Sequence, residues 1–387
     1  MKILMVNAVC GIKSTGRICT DIAHELIKQG HEVKIAYGRE QIPEQFANIA
    51  YKIGNDYDAI IHGVKARLLD AAGYGSLRGT RRFIQFIKSY DPDVIHLHNL
   101  HGYYINIREL FGYLNDSGKR IIWTMHDCWA FTGHCAYFEE ANCRKWEEGC
   151  FSCPQKKKYP SSITDFSKRN YRLKKELFEQ LKALEIVVPS KWLEEYIKRS
   201  FFQDKKVTVI YNGINTDVFY KRDTDIHESY GLSGKKIILG VAAIWNDRKG
   251  LNDFIQLSHI LDEDFVIMLI GLSKEQMNAL PGNIIGIKRT NSSEELSEYY
   301  SAAFCYFNPT YEDNYPTTNI EAIACDTPVI TYDTGGSGES AIHYGCVVEK
   351  GNIRAAYEAM KVRYKRDEAF DVSAHHFVEQ YIKLYEV

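Results

Sequence analysis

Short apolar runs alternate with amphipathic helical stretches along this chain, and near residue 207 the alternation starts afresh. Runs that are apolar throughout suit strands covered on both faces, and a helix between successive strands makes the sheet parallel. In the first half, KILMVNAV, HEVKIAYG, DVIHLHN (93–99), RIIWTMHD (120–127) and EIVVPS (185–190) read as strands. Between the first two, RICTDIAHELIKQG sets Ile18, Ile22, Leu26 and Ile27 on one helical face and ends at Gly30, a helix stop. VTVIYNGI (207–214) leads into a polar stretch, 215–236. A second series follows: KIILGVAAIW, FVIMLIG (265–271), NIIGIK (283–288), FCYFNP (304–309) and TPVITY (327–332). The expectation is an α/β chain of two doubly wound domains facing across a cleft, residues 1–200 and 205–370. Residues 371–387 form a last helix, with Phe377, Tyr381, Leu384 and Tyr385 on one face, that closes the second domain or crosses back to the first. Ligands of such sheets bind beyond the carboxyl ends of the strands, so the loops there are where chemistry is expected.

Composition narrows the class. The 387 residues are 45% hydrophobic and 25% charged, with a net charge of −2, which excludes a disordered chain and a whole-protein basic footprint for nucleic acid. The longest apolar stretches, IILGVAAIW (237–245) and FVIMLIGL (265–272), fall far short of the ~18–20 residues that span a bilayer. MKILMVNAVCGIK lacks the length and cleavage site of a secretory signal and reads as a buried first strand, so a cytoplasmic protein is expected. The charge is uneven. Residues 1–200 carry 30 Lys and Arg against 23 Asp and Glu, and 201–387 carry 18 against 27. A basic half suits an anionic partner such as the inner face of the plasma membrane, or is scatter over a large surface. Residues 74–90 (YGSLRGTRRFIQFIKSY) read as an amphipathic helix resting on lipid or as a core helix with a solvated face.

Three groups of residues carry chemistry. In PTYEDNYPTTNIEAIACDTPVITYDTGG (309–336), Asp313 lies in a loop after a strand, and a helix opens near Thr317. Free N–H groups at a helix start favour phosphate, with the hydroxyls of Thr317 and Thr318 beside them. A carboxylate one turn on, at Glu321, suits sugar or ribose hydroxyls, and Asn319 falls in the same turn. The second group is histidine: His98 and His126 end two strands on the expected cleft side, with His101 close by, whereas His96 lies inside a strand and reads as core. The third is cysteine: Cys135, Cys143, Cys150 and Cys153 are spaced C-x7-C-x6-C-x2-C within a Cys-rich loop, 128–160. One tight half-site leaves open a tetrahedral structural zinc or four small buried residues.

With those residues in view, the whole chain resembles the retaining GT-B glycosyltransferases of family 4, whose two domains are Rossmann-like. The resemblance rests on the Asp313/Glu321 spacing and the run EAIACDTPVITYDTGG after it. VPSKWLEEYIKRS (188–200), VTVIYNGINTDVF (207–219), WNDRKGL (245–251) and the final YIKLYE add to it. HDCWAFTGHCAYF (126–138) is similar to the branch that builds capsular and colanic-acid-like exopolysaccharides. It implies that the first domain binds the acceptor, the second a nucleotide sugar, and that the last helix returns to the first domain. Glu321 would hold the donor ribose, Arg248 and Lys249 the diphosphate, and Asp313 and His126 would sit by the donor hexose. Gly16 would belong to a loop near the donor phosphates. From their own places in the sequence, Arg289, after the strand NIIGIK, is expected near the base, and His98 and His101 on the acceptor side. Asp313 stands where the family usually has Glu, and Ile244 where it often has Arg. The implied reaction moves a hexose from a UDP-sugar, or a GDP-sugar, to a saccharide or polyprenyl-linked saccharide acceptor. The configuration is retained, and no metal is required for the chemistry. A non-catalytic partner subunit and a nucleotide-sugar 2-epimerase are the rival readings.

Overall fold

The computed structural model describes residues 1–386. The first sheet has seven strands: β1 (Lys2–Asn7), β2 (Glu32–Tyr37), β3 (Ala50–Lys52), β4 (Val94–Leu97), β5 (Arg120–Thr124), β6 (Leu184–Val188) and β7 (Lys206–Val209). Their order is β3-β2-β1-β4-β5-β6-β7, every pair parallel. The second sheet has six: β8 (Lys236–Val241), β9 (Phe265–Ile270), β10 (Ile284–Ile287), β11 (Cys305–Asn308), β12 (Val329–Tyr332) and β13 (Gly345–Val348). It is also parallel throughout, in the order β10-β9-β8-β11-β12-β13. The direction of progression reverses between β1 and β4 in one sheet and between β8 and β11 in the other. The crevice at such a switch point is where open α/β sheets take ligands.

The central strands explain the apolar runs. Ile3, Leu4, Met5 and Val6 of β1 are all fully buried, each burial contributing roughly 1.5–3 kcal/mol relative to exposure. Helix α1 (Lys13–Lys28) covers the sheet with Ile18, Ile22 and Leu26. Ile27, expected on that face, points into solvent instead, since it lies 100° around the helix from Leu26.

Two further helices precede β4: α2 (Asp56–Leu69) and α3 (Leu77–Tyr90). The apolar face of α3 is core: Phe83, Ile84 and Ile87 are buried, and Phe86 stacks on Tyr51 with ring centroids 3.9 Å apart. The lipid contact considered for residues 74–90 therefore has no apolar face to offer, because that face packs on the sheet.

The chain divides into two units, Met1–Tyr211 with the end of the chain from Val378 onward, and Asn212–Phe377. The first unit reaches Tyr211 because β7 pairs with β6 along its length. The last helix, Ala374–Glu386, ends against the first sheet. There Tyr385 OH is 2.7 Å from His96 Nδ1, and Tyr381 OH is 2.8 Å from Thr124 Oγ1. His96 is core, as its place inside a strand suggests, and its Nε2 meets Thr124 Oγ1 at 2.7 Å. Among the described residues no helix is long and apolar enough to cross a membrane.

Candidate functional site

In the second unit, β8 and β11 are neighbours, so the loops that follow them meet. After β8, Asn246 Oδ1 accepts the Lys249 N–H at 3.1 Å and closes a tight turn, Asp247–Lys249. That turn lies against the loop after β11: Arg248 Nη1 donates to Glu312 O at 2.6 Å, and Tyr311 N donates to Arg248 O at 2.8 Å. Lys249 Nζ sits 2.6 Å from Asp313 Oδ2. Burial alone would raise Asp313, but Lys249 and Arg248 outweigh it and hold the carboxyl below its usual range. Gly335, after β12, backs this loop. Its φ is +55°, and a Cβ there would lie 1.7 Å from Asp313 O, a contact only glycine permits.

The helix Thr317–Ala324 starts directly behind Asp313, with no side chain capping its first turn. Glu321 is buried at 1% exposed, and its Oε2 accepts the Tyr300 hydroxyl at 3.1 Å, which orients the carboxylate. Thr317 and Thr318 are half-buried, and Thr318 bonds the Tyr306 hydroxyl. Asn319 is placed differently from its neighbours. Its amide is fully buried, donating to Ser337 O at 3.0 Å and accepting from Asn308 at 2.8 Å, so it ties the helix to β11 and to the turn after β12. Arg289 is exposed beyond the edge strand β10, two strands from β8. Ile244 is 74% exposed in the loop after β8.

In the first unit the loops after β4 and β5 meet in the same way. His98 Nδ1 is 3.1 Å from His126 Nε2, with the rings nearly parallel. Burial pushes His98 well below its ordinary range and His126 down to about 4, Asp127 pulling His126 back only in part. Both rings are neutral at pH 7, so one N–H serves the contact between them. His101 bridges outward, with Nε2 2.6 Å from Asp127 Oδ2 and Nδ1 3.1 Å from the Tyr159 hydroxyl. Asp127 also accepts the Trp129 N–H, and it is held below its usual range although burial opposes this, His101 being the strongest pull. His98 Nε2 and Asn99 Oδ1 are buried without a partner, and both residues line a small cavity with His101, His126 and Asp127. Unpaired buried polar atoms of this kind mark a place for water or a ligand hydroxyl. Gly16 lies in the first turn of α1, where its carbonyl accepts the Gly11 N–H at 3.2 Å.

Of the two readings left open for Cys135, Cys143, Cys150 and Cys153, zinc gains no support: among the described residues no group of three or more His, Cys, Asp or Glu side chains is placed to hold a metal ion. The sulfurs nonetheless lie close enough to act on one another. Cys150 Sγ accepts the Gly133 N–H at 3.1 Å, and burial pushes its thiol up to about 12. Cys135 is hydrogen-bonded to Cys153, which raises the former and lowers the latter.

The sequence profile of Glycosyltransferase Family 4 matches residues 15–218. The chain belongs to that family. The profile of Glycosyl transferases group 1 matches residues 222–370, so the two profiles cover the two units in turn. The putative colanic acid biosynthesis glycosyl transferase WcaC of Escherichia coli is 22% identical over 353 residues, 88% of this chain and 85% of its own. Sucrose-phosphate synthase of Thermosynechococcus elongatus superposes on all of this chain and 98% of its own, with a TM-score of 0.70 at 16% identity. HepE of Anabaena, in a complex with UDP and glucose, covers all of this chain and 99% of its own, at a TM-score of 0.64 and 12% identity. The fold is GT-B, and the protein is a glycosyltransferase.

Several residues of this glycosyltransferase escape a reading of the sequence. Tyr300 and Tyr306 hold Glu321 and Thr318 from a helix end and a strand, and nothing in their spacing announces it. Asp253 accepts the hydroxyls of Tyr311 and Tyr332 at 3.0 and 2.9 Å and anchors the loop that carries Asp313. Lys174 is buried beneath the histidine loops, donating to Trp129 O at 2.6 Å and Thr132 O at 3.1 Å; burial lowers it to about 7. A signal for Lys174 existed: Asn170, Tyr171, Lys174 and Phe178 recur at helical spacing on the buried face of the helix Ser167–Glu179.

Proposed function

We propose that this family 4 glycosyltransferase moves a hexosyl group from a nucleoside diphosphate sugar to a hydroxyl of a lipid-linked or growing saccharide of bacterial surface polysaccharide, with retention of configuration. A UDP-hexose is the first donor to test and a GDP-hexose the second. The reading is carried by the Arg248–Lys249 turn set against Asp313, with the Glu321 carboxylate on the helix that follows. The likeness to WcaC supports the polysaccharide acceptor, and the UDP and glucose in the HepE complex support the donor class.

Each group has a distinct task in this scheme. Lys249 and Arg248 offset the negative charge that grows on the diphosphate as the glycosidic bond breaks. Asp313, held ionised by them, accepts hydrogen bonds from the donor hexose rather than giving a proton. Thr317 and Thr318 offer hydroxyls beside the first N–H groups of their helix, a favourable place for phosphate. Glu321 takes the ribose hydroxyls, and Asn319 keeps its helix in place. His126 is neutral at pH 7 and acts as a hydrogen-bond partner of the sugar, with His98 and His101 on the acceptor side. As the acceptor oxygen bonds to the anomeric carbon, the bond to the diphosphate breaks, and the acceptor proton passes to the departing phosphate oxygen. The test is transfer from UDP- and GDP-hexoses to a lipid-linked saccharide, with the product anomer read by proton NMR. Retained configuration, together with a loss of rate of roughly a hundredfold in Lys249→Ala, is the expected result. An inverted product, or full activity in that variant, contradicts the reading.

A further inference from the structure

Beneath the loop that follows β5, Asp70, His134, Cys135 and Cys153 meet outside the histidine cluster already described. His134 is buried, and its Nδ1 is 2.5 Å from Asp70 Oδ1. Asp70 Oδ2 accepts the Phe166 N–H at 2.9 Å, which fixes the carboxylate. With the Nδ1 proton given to that carboxylate, His134 Nε2 presents a lone pair, and it has no hydrogen-bond partner. A buried polar atom left unpaired asks for a chemical reason. The ring lies close enough to Cys153 to act on its sulfur, and the Cys135 thiol donates a hydrogen bond to that same sulfur.

The two sulfurs are not equivalent. Cys153 is half-buried and open to a small reagent, whereas Cys135 is buried. The bond from Cys135, with His134 and the Gln155 N–H adding to it, holds the Cys153 thiol below its usual range against the effect of burial, while Cys135 is raised. A reachable sulfur held as thiolate beside a protonated partner is the pattern of a peroxide-reactive pair. Both backbones are anchored, so the contact persists: Thr132 Oγ1 donates to Cys135 O at 2.5 Å, and Cys153 N donates to Asp165 Oδ2 at 2.6 Å. A metal ion would need three or more such side chains around it, and among the described residues none are so placed. A disulfide needs only two sulfurs in contact.

We propose that Cys153 and Cys135 form a peroxide-reactive dithiol, in which Cys153 attacks hydrogen peroxide and Cys135 resolves the product to a disulfide. The Cys153 thiolate bonds to one peroxide oxygen as the O–O bond breaks, leaving a sulfenic acid and a hydroxide that takes up a proton as water. The Cys135 sulfur then bonds to that sulfur as the S–O bond breaks, and the second hydroxide leaves as water with the Cys135 proton. Two thiols are oxidised by two electrons, and one peroxide is reduced to two waters. The new bond would tie the loop of His126 and Asp127 to the segment of Tyr159, whose hydroxyl meets His101. The inference does not rest on the transfer reading, since the pair would react whatever the donor is.

The test treats the full chain, reduced and freed of reductant, with hydrogen peroxide at pH 7. Free thiols are then capped with N-ethylmaleimide and the peptides mapped by mass spectrometry without reduction. A Cys135–Cys153 disulfide that dithiothreitol removes is the expected result. In Cys135→Ser the reaction should stop at a Cys153 sulfenic acid that dimedone captures. Without peroxide, iodoacetamide should label Cys153 about threefold or more faster than Cys346, which is also half-buried, and His134→Gln should bring that ratio towards one. The map and the ratio are read on wild type, so they decide the matter even where a variant fails to fold. Peroxide that leaves both thiols free, a disulfide through Cys143 or Cys150 instead, or Cys153 labelled no faster than Cys346 overturns the proposal. So does one zinc per purified chain with thiols that react only after chelation, which would make these sulfurs metal ligands.

Discussion

Replacing Gly335 by alanine should damage the second unit far more than its one added methyl suggests. With φ at +55°, an L-residue there costs roughly 1–2 kcal/mol. The new Cβ would also lie 1.7 Å from the backbone oxygen of Asp313, and a backbone atom cannot swing aside as the end of a side chain can. Relief requires the loop carrying Asp313 to move, which breaks the bond from Gly336 N to Asp313 O, now 3.2 Å, for about 1 kcal/mol more. The total is about 3 kcal/mol, or roughly 6–12 °C in the melting temperature for a unit of this size. Gly231 is the control. Its φ is +64°, but nothing lies within 4 Å of an added Cβ, so Gly231→Ala should cost only the backbone strain, about 1 kcal/mol and roughly 2–4 °C. Differential scanning calorimetry of both variants decides the matter, and donor affinity should fall only in Gly335→Ala, because only there does Asp313 move. Equal melting temperatures for the two variants would refute the close-approach argument.

Acid should destabilise the first unit earlier than carboxylates alone would. His62 and His126 are held near 4 and His96 near 3 by burial, against 6.5 unfolded, so their stabilisation is complete above pH 6.5 and is lost as pH falls through that window. The slope reaches about 4 kcal/mol per unit if all three act, and urea midpoints at pH 7 and 5.5 that coincide would contradict it. Lys174 works in the opposite direction. Titrating near 7 when folded and 10.5 when unfolded, its charge opposes folding below pH 7 and the opposition lifts as pH rises. Wild type should therefore gain on Lys174→Met by about 1 kcal/mol per unit between pH 7 and 9, measured by urea unfolding of both proteins. Tyr385→Phe removes the hydroxyl that meets His96 Nδ1 and should lower the urea midpoint by the equivalent of about 1–3 kcal/mol.

Much of the fold is legible in the sequence because parallel strands buried on both faces are written as unbroken apolar runs. The exceptions are edges. β3 is AYK and β13 is GCVV, too short and too little apolar to stand out, and both lie at sheet margins where one neighbour is missing. The places of His98, His126 and Asp313 in the loops after β4, β5 and β11 were legible because those loops follow apolar runs directly. Chemistry was hidden where tertiary packing supplies the partner: Tyr159 reaches His101 from 58 residues away, and Tyr300 reaches Glu321 from a different helix. Asn319 sits in the right turn, but its side chain faces the scaffold, since a helix turns 200° between it and Glu321. The cysteine spacing did foretell that these sulfurs converge, since Cys135, Cys150 and Cys153 act on one another, but spacing alone does not say what they hold. The apolar stripe on α2, Ile60, Ile61, Val64 and Leu68, has ordinary core periodicity, and only the structure reveals that it faces outward.

The central claim is that the second unit binds a nucleoside diphosphate sugar at Lys249, Asp313 and Glu321. Thermal shift with UDP, GDP, TDP and ADP and their hexose conjugates, on wild type and Glu321→Ala side by side, tests it most directly. The account predicts stabilisation by one diphosphate, more by one of its sugars, and neither in Glu321→Ala. No shift with any nucleotide, or the same shift in the variant, would contradict it.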